Sequence, residues 1–156
     1  MAQESVHMND TLYILNGPNL NLLGVREPHL YGGTTLAQVQ QLCERVTAEL
    51  GYRCDFRQSN HEGVLVDWVQ EARENAAAVV INPAGLSFRS IPLLDALKTL
   101  DQPLAEVHIT NIHRRDPLYQ HSLISLAATG VICGFGPFGY ELAIRAVAQR
   151  LALAVA

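Results

Sequence analysis

With 156 residues, 49% of them hydrophobic and 17% charged, the chain is long enough for one domain with a real core. Its formal net charge of −4 comes from mixed signs, and no arginine-rich tail or basic stripe argues for a nucleic-acid partner. No apolar run reaches membrane-spanning length, and Cys43, Cys54 and Cys133 show neither CxxC nor Cys/His ligand spacing, so they read as buried, reduced thiols of a cytoplasmic protein.

Residues 1–10 (MAQESVHMND) are polar and lack an apolar signal core. They read as a flexible tail ahead of a single domain at 11–156. The first strand is expected at 11–15 (TLYIL). A long loop follows over 16–33, a length that is usually functional in a compact domain. Leu36, Val39, Leu42, Cys43, Val46 and Leu50 recur at helical spacing and predict a helix over 36–50, with Thr34 or Thr35 to cap it and Gly51 to end it. The run 53–58 (RCDFRQ) alternates and is poorer in apolar residues, which suits an edge strand. Val64, Leu65, Trp68, Val69 and Ala72 predict a helix over 62–75, with Ser59 or Asn60 as its cap. AVVI at 78–81 is continuous and β-branched, as a central parallel strand should be. A helix over 91–100 accepts Pro92 in its first turn. Further strands are expected at 104–109 (LAEVHI) and 130–133 (GVIC), and a last helix at 140–154. The repeated βα pattern gives a parallel sheet with helices on both faces. Five strands favour the flavodoxin-like three-layer sandwich with order 2-1-3-4-5.

In such a sheet, ligands bind beyond the carboxyl ends of the strands, where the order reverses. The residues following strands 1, 3 and 4 are therefore the candidates. Glu106 and His108 lie two apart on a strand and face one side. A carboxylate can orient an imidazole and stabilise its cation, the build of a general acid; the ordinary alternative is a satisfied core ion pair. Arg26 and Tyr31 lie in the long loop. A guanidinium favours a phenolate and can turn a tyrosine into a base, but spacing alone does not bring these two together. Asn16, Asn19 and Asn82 sit at strand ends, where an asparagine caps a turn or binds a ligand. No glycine motif forms a phosphate loop, no HExxH or carboxylate cluster suggests a metal, and no GxSxG elbow occurs, so no cofactor is expected.

NGPNLNLLG (16–24), REPHLYGGTT (26–35), RQSNHEG (57–63), NPAG (82–85), EVHITNIHRR (106–115) and HSLIS…ATGVICGFG (121–136) together resemble type II 3-dehydroquinate dehydratase over nearly the whole chain after residue 10. The resemblance implies a flavodoxin-like lyase of the shikimate pathway to aromatic amino acids, or of quinate breakdown. It also implies self-association into trimers and a dodecamer. Tyr31, held as phenolate by Arg26, would be the base, and His108, oriented by Glu106, the acid. Asn19 would hold a water at the enolate oxygen. Asn82 with the backbone of Ile109 and Thr110 would bind the carboxylate region, and Asp95 a ring hydroxyl. The loop 24–31 would close as a lid. No Schiff-base lysine is required; Lys98 is the only lysine.

Two positions depart from the family pattern. Phe88 stands where a hydroxyl-binding histidine is usual, and Tyr119 where an arginine is usual. Arg89 or Arg114 could reach the same space. Alternatively, the chain is a paralogue acting on a related cyclic hydroxy-keto acid. A non-catalytic flavodoxin-like binding or assembly module would use Arg26, Tyr31 and His108 for packing only.

Overall fold

The computed structural model describes residues 9–155. Of the expected tail, residues 1–8 lie outside the described residues. Asn9 and Asp10 are already tied to the domain. Arg53 donates twice to Asp10 Oδ1, at 3.0 and 2.8 Å, and Asn9 Nδ2 donates to the Glu74 carbonyl.

The strands are β1 (Thr11–Asn16), β2 (Arg53–Gln58), β3 (Ala78–Asn82), β4 (Leu104–His108) and β5 (Gly130–Cys133). They form one parallel sheet in the order β2-β1-β3-β4-β5. The helices are α1 (Pro28–Tyr31), α2 (Leu36–Glu49), α3 (Glu62–Asn75), α4 (Ile91–Leu97) and α5 (Phe138–Val155).

Alternation along the central strands feeds two cores. Leu12, Ile14, Val80 and Val107 pack on one face against Val39, Cys43 and Val46 of α2 and Ala143, Ile144 and Val147 of α5. Tyr13, Leu15, Val79 and Ile81 pack on the other face against Leu65, Val69 and Ala72 of α3 and Leu93 and Leu97 of α4. Both faces of β3 are covered, which is why its sequence is a continuous apolar run. Each large aliphatic side chain so buried contributes about 1.5–3 kcal/mol.

The element ends show where local chemistry intervenes. Thr35 and Gln38 form a reciprocal capping box at the start of α2, and Gly51 (φ +84°) follows its end. The residue capping α3 is His61, whose side chain makes no capping bond. Ser59 Oγ accepts from His61 N, and Asn60 Oδ1 accepts from Asn19 N, so neither expected cap is free for the helix. Helix α4 stops at Leu97, short of 100, where the Thr99 hydroxyl bonds back to the Ala96 carbonyl. Helix α5 starts two residues early because Gly134 (φ +97°) and Gly136 (φ +60°) complete the turn first.

All three cysteines are free; Cys43 is buried, while Cys54 and Cys133 are half-buried rather than enclosed. Burial drives the Cys43 thiol far above its ordinary range and pushes Cys54 up to about 11. Alkylation of both at neutral pH is therefore expected to run at least about tenfold slower in the native protein than in the urea-unfolded chain. Mass spectrometry of the labelled peptides measures this. Equal rates in the two states would show that these thiols are not protected.

Candidate active site

Parallel strands place all five carboxyl ends on one edge, and β1 and β3 lie side by side where the order reverses. The loops leaving them touch. Gly17 N donates to the Asn82 carbonyl at 2.8 Å, and a Cβ on Gly17 would sit 2.4 Å from the Pro83 oxygen. Only glycine permits that approach. Beside it opens a cleft of about 260 Å³, lined by residues following β1, β3 and β4.

Behind the cleft lies a buried polar network. The Tyr140 hydroxyl donates to Asn16 Oδ1 at 2.7 Å and accepts from Asn82 Nδ2 at 2.9 Å. Asn16 Nδ2 reaches the Arg57 carbonyl, and Asn82 Oδ1 accepts from Ala84 N. Asn16 is thus a wholly internal brace, whereas Asn82 both braces and lines the cleft. Burial raises the Tyr140 phenol far above its usual range, so it stays a hydroxyl that can both donate and accept. Tyr140→Phe strands two buried amides and is expected to cost about 1–3 kcal/mol of stability. A fall in the urea midpoint with unchanged slope reads that loss; an unmoved midpoint would show that the network adds nothing.

Glu106 is fully buried at the end of β4. Its Oε2 lies 2.5 Å from His108 Nε2, and its Oε1 accepts from Ser125 Oγ at 2.9 Å. Both oxygens are engaged, as a buried carboxylate demands. His108 is 5% exposed and borders the cleft, so Nδ1 is the nitrogen left to meet a ligand.

Across the cleft, half-buried Tyr31 ends α1. Arg26 stands over its ring at 5.7 Å and pairs with Glu27 at 3.3 Å. The guanidinium that bonds the phenol belongs to Arg115, whose Nη1 donates to Tyr31 Oη at 3.2 Å. The expected Arg26–Tyr31 partnership is therefore a ring contact, with Arg26 drawn aside by its acidic neighbour.

Asn19, Asn82, Phe88, Ile109, Thr110 and Tyr119 all line the cleft, as expected for site residues. Asn19 and Ala84 take the left-handed backbone (φ +70° and +52°), conformations that non-glycine residues adopt at a cost. Arg89 and Asp95 do not join the cleft; both are exposed, and Asp95 faces away on α4. Arg114 is exposed as well, so Arg115, not Arg89 or Arg114, supplies the extra cation. Arg115, Ser125 and Tyr140 were not among the expected site residues. Arg115 shows in sequence only as half of a charge pair, Ser125 only within HSLIS, and Tyr140 only as one aromatic of an apolar helix.

The family model for dehydroquinase class II matches residues 10–148. The chain belongs to the class II dehydroquinase family. A curated relative of the family, 3-dehydroquinate dehydratase 1 of Agrobacterium fabrum, is 53% identical over 140 residues, covering 90% of this chain and 97% of its own. The 3-dehydroquinate dehydratase of Caulobacter vibrioides is 57% identical over 135 residues, covering 86% and 92%. The crystal structure of type II dehydroquinase from Propionibacterium acnes superposes with a TM-score of 0.87 at 41% identity, covering 92% of this chain and 99% of that one. The class II match spans every segment that lines the cleft, from Pro18 to Tyr119.

Proposed function

We propose that this dehydroquinase-family chain dehydrates 3-dehydroquinate to 3-dehydroshikimate through an enolate, with Tyr31 as base and His108 as acid. The observation that carries the reading is their arrangement: a cation-bonded phenol and a carboxylate-bonded imidazole border one cleft. Tyr31, as phenolate beside Arg115 and Arg26, takes the proton from the carbon between the ketone and the carbinol carbon. The electron pair moves onto the ketone oxygen, where a water held by Asn19 donates to it. The enolate then collapses, the carbinol C–O bond breaks, and the departing hydroxyl takes a proton from His108 and leaves as water. Glu106 orients His108 and offsets its charge. The enone product retains the ring carboxylate, bound by Asn82 and the backbone of Ile109 and Thr110. The segment 24–31 closes as a lid over the reacting carbon. Lys98, exposed just after α4, does not line the cleft and takes no part in this route, which forms no Schiff base.

The subunit works within an oligomer, a trimer and then a dodecamer. Support comes from the exposed β5 edge, where Leu126, Val131, Phe135 and Phe138 leave apolar surface uncovered. Asp95, exposed and outside its own cleft, contacts a ring hydroxyl from a neighbouring protomer. Three unpaired thiols suit a cytoplasmic setting.

The test follows enone absorbance with 3-dehydroquinate at neutral pH, with Tyr31→Phe and His108→Ala alongside. Turnover that collapses in both variants is expected; turnover that survives in either removes that residue from its role. A second reading rests on Phe88, whose ring gives the cleft a wall unable to donate a hydrogen bond. On that reading the substrate is a cyclic hydroxy-keto acid with fewer ring hydroxyls. A ring-deoxy analogue turned over with higher kcat/KM than 3-dehydroquinate would favour it; the reverse order would reject it.

A further inference from the structure

The segment after β4 turns through three-residue helices at Ile112–Arg114 and Pro117–Tyr119, which brings Arg115 and Tyr119 to the same wall of the cleft. The Arg115 guanidinium lies 4.2 Å over the Tyr119 ring. The same guanidinium donates to Tyr31 Oη. Tyr119 is held in turn by Phe88, which meets it edge-on at 5.5 Å and 78°. Phe88 also stacks on the His108 ring at 6.4 Å and 29°.

Arg115 forms no ion pair among the described residues, whereas Arg26 shares its charge with Glu27. A long, half-buried arginine without an acid partner keeps much rotamer freedom, and a flat aromatic face removes it by attraction to the ring's negative centre. The backbone beneath is pinned as well, since Gln120 Nε2 donates to the Arg115 carbonyl at 2.6 Å. The charged groups that meet Tyr31 are thus Arg26 with Glu27 from its own segment, and Arg115 from the segment after β4.

We propose that Tyr119 is a positioning residue for the base: its ring carries the Arg115 guanidinium, Phe88 props that ring, and the guanidinium is thereby aimed at the Tyr31 hydroxyl. The proposal rests on Tyr31 being the base. It makes the two aromatic departures from the family pattern a single device, with one aromatic aiming a cation and the other linking that cation's support to the acid.

The experiment compares Tyr119→Leu, which removes the aromatic face, with Tyr119→Phe, which keeps it. Tyr119→Leu is expected to lower kcat about tenfold, the size of a partly desolvated cation–ring contact, with KM changed less than about threefold. Tyr119→Phe is expected to restore most of that loss. In the substrate-free protein, the Tyr31 phenolate absorbance (each protein minus its Tyr31→Phe counterpart) is expected to appear at higher pH in Tyr119→Leu than in the parent. Equal phenolate titrations in the two, equal damage by Leu and Phe, or a loss confined to KM would overturn the proposal. If Tyr119→Leu does not fold, Phe88→Leu takes its place and is expected to shift the phenolate signal in the same direction; no shift overturns the proposal. A parent inert towards 3-dehydroquinate would instead defeat the reaction assignment, and the phenolate comparison would still decide the role of Tyr119.

Discussion

Tyr31→Phe is expected to lower kcat for 3-dehydroquinate by about a hundredfold to ten-thousandfold, the range for losing a positioned general base. The change removes one oxygen and keeps the ring, so the arginines over its face retain their contacts. Arg115 loses only its 3.2 Å bond to the hydroxyl. Tyr31 is half-buried, and its hydroxyl faces the cleft rather than the core, so the thermal midpoint should stay near that of the parent. KM should move little, because the phenol contributes to the proton transfer and not to holding the carboxylate. Steady-state enone absorbance separates kcat from KM. A variant with parental kcat would pass the base role to another group.

Glu106→Gln should reduce kcat by about a hundredfold to a thousandfold while the fold survives. The two side chains have one shape, and Ser125 can donate to an amide oxygen as it does to the carboxylate. What disappears is the negative charge at His108 Nε2. The imidazole then loses the carboxylate acceptor at Nε2, and an amide nitrogen facing Nε2 would change the ring's tautomer. His108→Ala is the harsher change for stability. It leaves a fully buried carboxylate with one neutral partner, at a cost of about 3–5 kcal/mol. Chemical denaturation of the two variants should therefore separate them: Glu106→Gln stays near the parent, while His108→Ala unfolds at markedly lower urea. Equal midpoints would mean that Glu106 does not need His108 to remain buried.

Much of the architecture could be read along the chain because the central strands are buried on both faces and the helices carry one apolar stripe each. Leu12 to Leu15 and Ala78 to Ile81 are short continuous apolar runs, and all eight residues are buried. Element ends were less legible, since they depend on competing side chains: Thr99 cuts α4 short, and Asn60 serves Asn19 instead of α3. Within the site, Glu106 and His108 follow from strand alternation alone. Tyr31, Asn19 and Phe88 required the family resemblance, because no periodicity places a loop residue. Arg115 escaped both routes. Its head reaches a hydroxyl 84 residues away in sequence only after two short turns have set its backbone, and a paired-arginine motif carries no trace of that geometry. Tyr140 was hidden for a similar reason, since its hydroxyl partners lie on β1 and β3, far along the chain. Asp95 was placed by resemblance and Arg89 as a substitute for the missing hydroxyl-binding groups, and a single subunit brings neither to the cleft.

The contact between Gly17 and Pro83 also bears on how freely this gene can drift. A saturation library at Gly17 should return glycine almost alone, because every other side chain begins with a carbon 2.4 Å from a backbone oxygen that cannot yield. Gly63, in the first turn of α3, has open space where a Cβ would stand and an ordinary helical backbone, so alanine there should be enriched. Two glycines in one chain thus sit at opposite ends of mutational tolerance. The intolerant one guards the spacing between the loop after β1 and the end of β3, which carry Asn19 and Asn82.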